Sequence, residues 1–287
     1  DQAIDELASI MAINVKESQS QNGAVTINLT TGESLVLDNG AFNLFELNSN
    51  GDATTKELKL ETNFGSDTKG DASVHIEEGD LGGALGGLFS YRNEVLGPAM
   101  RDIGQLSIAF ADAMNTQNKL GMDLDGQIGS NIFDIPSFTA ITSETGDYQV
   151  TGQIIEGRAS ELTDADYLIE IDAVDLAGEP TSITVSLINP DGSVQTDGSG
   201  TPLVSNIAVT TGFNELPGGI EVEFSGTDTY AEGYQFLLQP TKNAASSITL
   251  ASNRPEDLAF ASPIRAQADS TNLGSANVSG VEVSNTT

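Results

Sequence analysis

The chain contains no cysteine, no tryptophan and a single histidine. Without cysteine there is no disulfide framework, no thiolate metal site and no thiol nucleophile. With His75 alone, a Ser–His triad has one available base, and no G-x-S-x-G elbow accompanies it. His75 alternates with Val74 and Ile76 beside Glu77 and Glu78, the pattern of a solvated histidine on the outer face of a strand. Tryptophan, the usual sugar-stacking residue, is missing, and the many acids are spread through turns and strand faces without naming a glycosidase pair. No residue reads as catalytic, and the chain is expected not to be an enzyme. No apolar run approaches the roughly 18 residues that a membrane span needs.

Basic residues are also scarce: 11 Lys and Arg stand against 42 Asp and Glu, for a formal net charge of −31 over 287 residues. Nucleic acid is a poor partner for such a chain, because its affinity comes largely from Lys and Arg neutralising phosphates. An anionic membrane surface repels it for the same reason. The 38% of hydrophobic residues is nevertheless enough for a core, which separates the chain from disordered acidic tails. Its length allows two or three domains.

The most informative stretch is Leu81–Gly126. Leu85, Leu88, the stem of Arg92, Leu96, Ala99, Ile103, Leu106, Phe110 and Ala113 recur at steps of three and four, which places them on one side of a helix. Asn93, Arg101, Asp102, Gln105, Asp112 and Gln117 fall on the other side. The result is an amphipathic rod of roughly 30 residues, about 45 Å long at 1.5 Å per residue. A rod of that length has to lie against other long helices, and the chain supplies few. Asp80 is placed to cap it. Gly82, Gly83, Gly86 and Gly87 weaken its first turns but permit close backbone approach. Gly97-Pro98 predicts a kink or a short break.

Around the rod the period changes. The first residues, with Ile4, Leu7, Ile10 and Met11 on one face, are already helical, so residue 1 reads as a cut within a longer protein. Ile13–Leu47 has period 2, with turns at Asn22-Gly23, Thr31-Gly32 and Asp38-Asn39-Gly40, and predicts a meander of about four strands. Glu57–Thr62 and Ser73–Ile76 add two short ones. Further strands are expected at Tyr148–Ile155, Tyr167–Val174, Thr181–Ile188, Leu203–Val209, Ile220–Phe224 and Tyr234–Leu238, with a strong turn at Asn189-Pro190-Asp191-Gly192. A short helix is expected at Pro255–Ala261. The expected fold class is α+β and multidomain. It comprises a long-helix bundle domain (residues 1–135) with a β meander inserted at about 13–78 and the long helix at about 80–120. An outer all-β sandwich or barrel-like domain follows (136–240), then a return segment with a short helix (241–265). Residues 266–287 begin an extended or further segment.

Two motifs suggest ligands. Met122–Gln127, M-D-L-D-G-Q, resembles the opening of a calcium loop through Asp123 and Asp125 but lacks the third acid and the distal Glu; a helix-closing turn accounts for the same residues. The Gly82–Gly87 run lacks the Lys-Ser/Thr and the βαβ setting of a nucleotide loop. No cofactor is expected.

Three separated segments then carry a resemblance. G82-G-A-L-G-G-L-F-S-Y-R-N-E-V-L-G-P-A-M with L106-S-I-A-F-A-D-A-M-N and G121-M-D-L-D-G, F236-L-L-Q-P-T-K-N-A-A-S-S-I, and D1-Q-A-I-D-E-L-A together resemble the flagellar hook-associated protein 1 family, at the start of the hook–filament junction. The likeness covers residues 1–126 and about 231–265. It implies a structural subunit of a tubular assembly, exported by the flagellar type III route without a cleaved signal peptide and located outside the cell. Its partners would be copies of itself, the hook protein and the next hook-associated protein, with an export chaperone acting through terminal regions that this chain lacks; the isolated chain would be monomeric. It also implies that the rod's apolar seam packs on Ile4–Met11, on Leu258–Ala261 and on helices of those absent termini. Subunit contacts are expected around Tyr91, Arg92, Glu94 and Arg101. The alternative is a secreted, acidic β-sandwich binding or adhesion module, calcium-stabilised through its turns.

Overall fold

A computed structural model of the chain describes residues 2–17, 24–48, 57–64, 73–76, 78–142, 144, 146–189 and 193–261. It opens with helix α1 (Gln2–Ile10), followed by β1 (Ile13–Glu17), β2 (Val25–Leu29), β3 (Ser34–Val36), β4 (Phe42–Asn48), β5 (Glu57–Phe64) and β6 (Ser73–His75). These six strands form one antiparallel sheet in sequence order, the arrangement that successive hairpins produce. Ile27, Leu29, Leu35, Leu58, Leu60 and Ile76 bury their side chains with Met11 and Leu81, and Ile4, Leu7, Leu85 and Phe89 pack against them. The turns expected at Asn22-Gly23 and Asn189-Pro190-Asp191-Gly192 fall wholly or largely outside the described residues, as does everything after Ala261.

The long rod starts later than expected. Glu78–Leu81 is a 3-10 turn, and helix α2 (Gly83–Tyr91) is preceded by Gly82 with no side-chain cap, so Asp80 does not cap it. Gly82 and Gly83 have positive φ and sit against α1's exit: a Cβ on Gly82 would lie 2.7 Å from Ala12 Cβ, and one on Gly83 2.7 Å from the Ile10 carbonyl. These two glycines are therefore needed for close approach. Gly97-Pro98 does not break the rod. The five-residue π turn Arg92–Leu96 precedes it and leads directly into helix α3 (Gly97–Lys119). From Gly83 to Lys119 the rod is continuous and about 55 Å long at 1.5 Å per residue. No second long helix lies beside it among the described residues, so the expected bundle is represented by α1 and this rod.

Beyond α3 come β7 (Phe133–Asp134), β8 (Phe138–Thr139), β9 (Tyr148–Ile154), β10 (Asp166–Val174), β11 (Pro180–Ile188), β12 (Val204–Ala208), β13 (Asn214–Leu216), β14 (Ile220–Gly226) and β15 (Gln235–Leu238). Two four-stranded antiparallel sheets, β12-β11-β10-β15 and β13-β14-β9-β8, face each other as a sandwich. Alternation along β10 and β11 turns Tyr167, Ile169, Ile171, Ile183 and Val185 inward, where they meet Val150, Ile220, Val222, Phe236 and Leu238. Tyr148, Tyr230, Tyr234 and Phe236 form a ring cluster with centroids 5.3–6.3 Å apart. The chain returns through α4 (Ala244–Ser247) and β16 (Thr249–Leu250), which pairs with β7. The helix expected at Pro255–Ala261 is only a 3-10 turn, Pro255–Asp257, after which Ala261 bridges back to Met122. Three residues between Asp257 and the pairing at Ala261 leave no room for a longer helix.

Candidate functional site

Rod α3 presents two unlike faces, and their roles are the reverse of what amphipathicity suggests. Its buried residues are Arg101, Gly104, Ile108, Ala111, Asp112, Asn115 and Asn118. Their spacing is that of one helical stripe, and it is small and polar rather than greasy. Ile108 alone reaches into the sandwich core.

Hydrogen bonds make this stripe possible. Arg101 Nε and Nη2 donate to Asp166 Oδ1 and Oδ2 at 3.2 and 2.6 Å, with the two side chains 8% and 5% exposed. Gln239 Nε2 donates to the same carboxylate at 2.7 Å. A fork of this kind, with a third donor, is the geometry in which buried charges are tolerated. Gly104 lets α3 press onto the return segment, since a Cβ there would lie 1.8 Å from the Thr241 carbonyl oxygen. Asp112 accepts the backbone N–H groups of Gly157 and Ala159 at 2.8 and 3.1 Å. Asn115 accepts from Ile132 and Phe133 N–H and donates to the Phe133 carbonyl. Asn118 donates to the Ser130 and Asp257 carbonyls and accepts from Ala259 N–H. Asp112, Asn115 and Asn118 thus satisfy backbone groups that would otherwise be left unpaired.

The apolar seam faces outward over most of its length. Leu88, Ile103, Leu106 and Phe110 are 66, 57, 70 and 56% exposed, and Leu96 is exposed as well. Of the seam, Leu85 packs against the upstream core; Phe110 meets the Phe133 ring in a tilted arrangement, centroids 5.7 Å apart, while remaining half open. Met100 and Met114 are exposed beside them. The expected packing of the seam on Ile4–Met11 is thus confined to its first turn. Phe260, in the segment expected to cover the other end, is itself exposed. A contiguous exposed apolar strip of this kind is uncommon on a monomeric protein.

The expected contact residues separate. Tyr91 and Glu94 are exposed, and Arg92 lies with its guanidinium 4.9 Å from the Phe89 ring centroid. Arg101 is not available to a neighbour, because the ion pair with Asp166 buries it; the polar face on which it sits is the docking face for the sandwich. The calcium candidates also part company. Asp123 Oδ1 accepts Gln127 N–H at 2.7 Å and closes a turn, whereas Asp125 pairs with Arg254 at 2.7 Å. Among the described residues no group of three or more His, Cys, Asp or Glu is arranged to hold a metal ion. No described helix is long and apolar enough to cross a membrane.

A long helix is thus docked through polar residues onto a β sandwich, with its apolar face open among the described residues. Comparison with known proteins supplies the family. Residues 1–133 match the family described as flagellar hook-associated protein FlgK helical domain. Flagellar hook-associated protein 1 of Escherichia coli (strain K12) is 31% identical over 220 residues, 72% of this chain and 38% of that protein. The Salmonella typhimurium protein of the same name is 27% identical over 273 residues, 94% of this chain and 44% of that protein. The solved structure of the flagellar hook junction protein FlgK from Burkholderia pseudomallei is similar with a TM-score of 0.71 and 26% identity, over 92% of this chain and 44% of that one. The chain belongs to the FlgK-like family of flagellar hook-associated proteins. It spans about four tenths of the length of the curated relatives it matches.

Proposed function

We propose that this chain is the middle portion of a structural subunit at the hook–filament junction of a bacterial flagellum, outside the cell and without enzymatic activity. Residues 1–135 and 136–240 serve as its helical and outer domains. The observation that carries the reading is the open seam Leu96, Ile103, Leu106 and Phe110 on a helix whose opposite face is already docked. More than half of the relatives' length lies outside this chain, and helices from that remainder are the occupants that complete a bundle along the seam. Tyr91 and Glu94 lie on the solvent side and remain candidates for contact with neighbouring copies, the hook protein or the next hook-associated protein. Its role is geometric: it holds surfaces in register between a curved hook and a straighter filament.

Immunogold electron microscopy of flagellated source cells with antibody against this chain tests the reading. Gold is expected only at the joint between hook and filament. Gold spread over the cell surface, or absent from flagella, overturns it in favour of a secreted acidic binding module.

A further inference from the structure

From Gly87 to Met100 no residue is buried, although the rod runs through without a break. On either side the packing is dense. Upstream, Leu81 and Leu85 join the meander core, and Gly82 and Gly83 press against Ile10–Ala12. Downstream, Arg101 is locked to Asp166, and Gly104 leaves no space for a Cβ against Thr241. The two hydrophobic cores share no residue. Among the described residues, the continuous helix Gly83–Lys119 joins them.

The π turn Arg92–Leu96 lies in that strip, and its position follows from Pro98. In an α-helix the ring of Pro98 would clash with the carbonyl of Glu94, four residues back, and its missing N–H would leave that carbonyl unbonded. Widening the preceding turn lets Gly97 N–H bond the Arg92 carbonyl and carries the helix past the proline. Helices bend where the regular ladder is interrupted. Segments with few buried apolar contacts and solvent-exposed backbone bonds are also the least stable part of a fold.

We propose that the π turn Arg92–Leu96 is a hinge, about which the body of α1, the meander and α2 swings relative to the body of α3 and the sandwich. The motion consists of bending at the turn and interchange between π and α register. It relies on the chain's own packing and stands whether or not the junction reading does.

The chain has no cysteine, so introduced pairs are the sole spin-label sites. Double electron–electron resonance on the 287-residue chain carrying Lys16→Cys with Asp164→Cys reads the distance across the hinge. Asp102→Cys with Asp164→Cys reads a distance within the downstream body and serves as the control. The distribution across the hinge is expected to be broader than the control's. Pro98→Ala restores the N–H and removes the ring, and is expected to abolish the extra breadth. Gly97→Ala is a second route to the same end, because its Cβ would lie 3.2 Å from the Arg92 carbonyl oxygen that the π turn uses. A hinge pair as narrow as the control, or a breadth unchanged by both substitutions, overturns the proposal.

Discussion

The two faces of α3 use opposite chemistries for opposite purposes. The inner face, from Arg101 to Asn118, is polar and small, yet it is buried, because each polar side chain on it meets a backbone group or an ion-pair partner. The outer face, from Leu96 to Phe110, is apolar, yet it is open among the described residues, and the function proposed above assigns its partners to elements beyond the chain. The difference teaches that burial within a chain follows the satisfaction of polar groups as much as hydrophobicity, and that an amphipathic pattern alone does not say which face packs at home. It also predicts an asymmetry: substitutions on the inner face damage the isolated chain, whereas those on the outer face spare it.

The largest effect is expected at Arg101→Met. It leaves the Asp166 carboxylate buried without its cation, which costs about 3–5 kcal/mol. Thermal unfolding should register this as a clear drop in midpoint, at about 2–4 °C per kcal/mol for a chain of this size. Adding Asp166→Leu removes the stranded charge and should return most of the loss. A single variant as stable as the parent would show that the ion pair does not hold α3 to the sandwich.

Gly104→Ala comes next. A methyl group 1.8 Å from the Thr241 carbonyl oxygen forces α3 and the return segment apart, for a loss of about 1–3 kcal/mol. Replacing Gly87 by Ala, where nothing lies within 4 Å, should instead be neutral or slightly stabilising, and the pair of chemical-denaturation curves sharpens the comparison.

How much of this was legible beforehand differs between the elements. Period-2 runs put β9, β10 and β11 within a residue of their observed ends, since alternate residues enter the sandwich core. The three-residue strand β13, Asn214–Leu216, was missed because no periodicity fits into so short a span. The seam's composition was readable, but the direction it faces was not, because the sequence does not show which partners are present. One signal did mark the docking face. Gly104, Ile108, Ala111, Asn115 and Asn118 recur at four and three, and Asn is a poor helix former unless its side chain is engaged elsewhere. Asp166, at the very start of β10, carried no local signal, because its importance arises only when a residue 65 positions earlier reaches it.

Acid should act weakly and locally, on turns outside the comparison's inner face. The hydroxyl of Thr227, with Gln149, holds Asp147 below its ordinary pKa; the Glu179 N–H does so for Asp175, and the Ser199 hydroxyl for Asp197. A depressed folded-state pKa adds stability that is present above the unfolded value, near 3.9, and is lost as pH falls through the folded one. Amide chemical shifts of these three turns should therefore change below about pH 4, before global unfolding. Shifts that move above pH 5 would break the assignment.

The smallest effect is expected on the outer face. Ile103→Gln should alter the stability of the isolated chain by no more than about 0.5 kcal/mol.

The most direct test places Ile103→Glu and Leu106→Glu together in the full-length protein and scores whether it is incorporated at the hook–filament joint, with the melting point of the 287-residue chain bearing the same pair as reference. An unchanged melting point with loss of incorporation is the predicted result. Normal incorporation, or a chain that melts early, would contradict the assignment of this face to contacts beyond the chain.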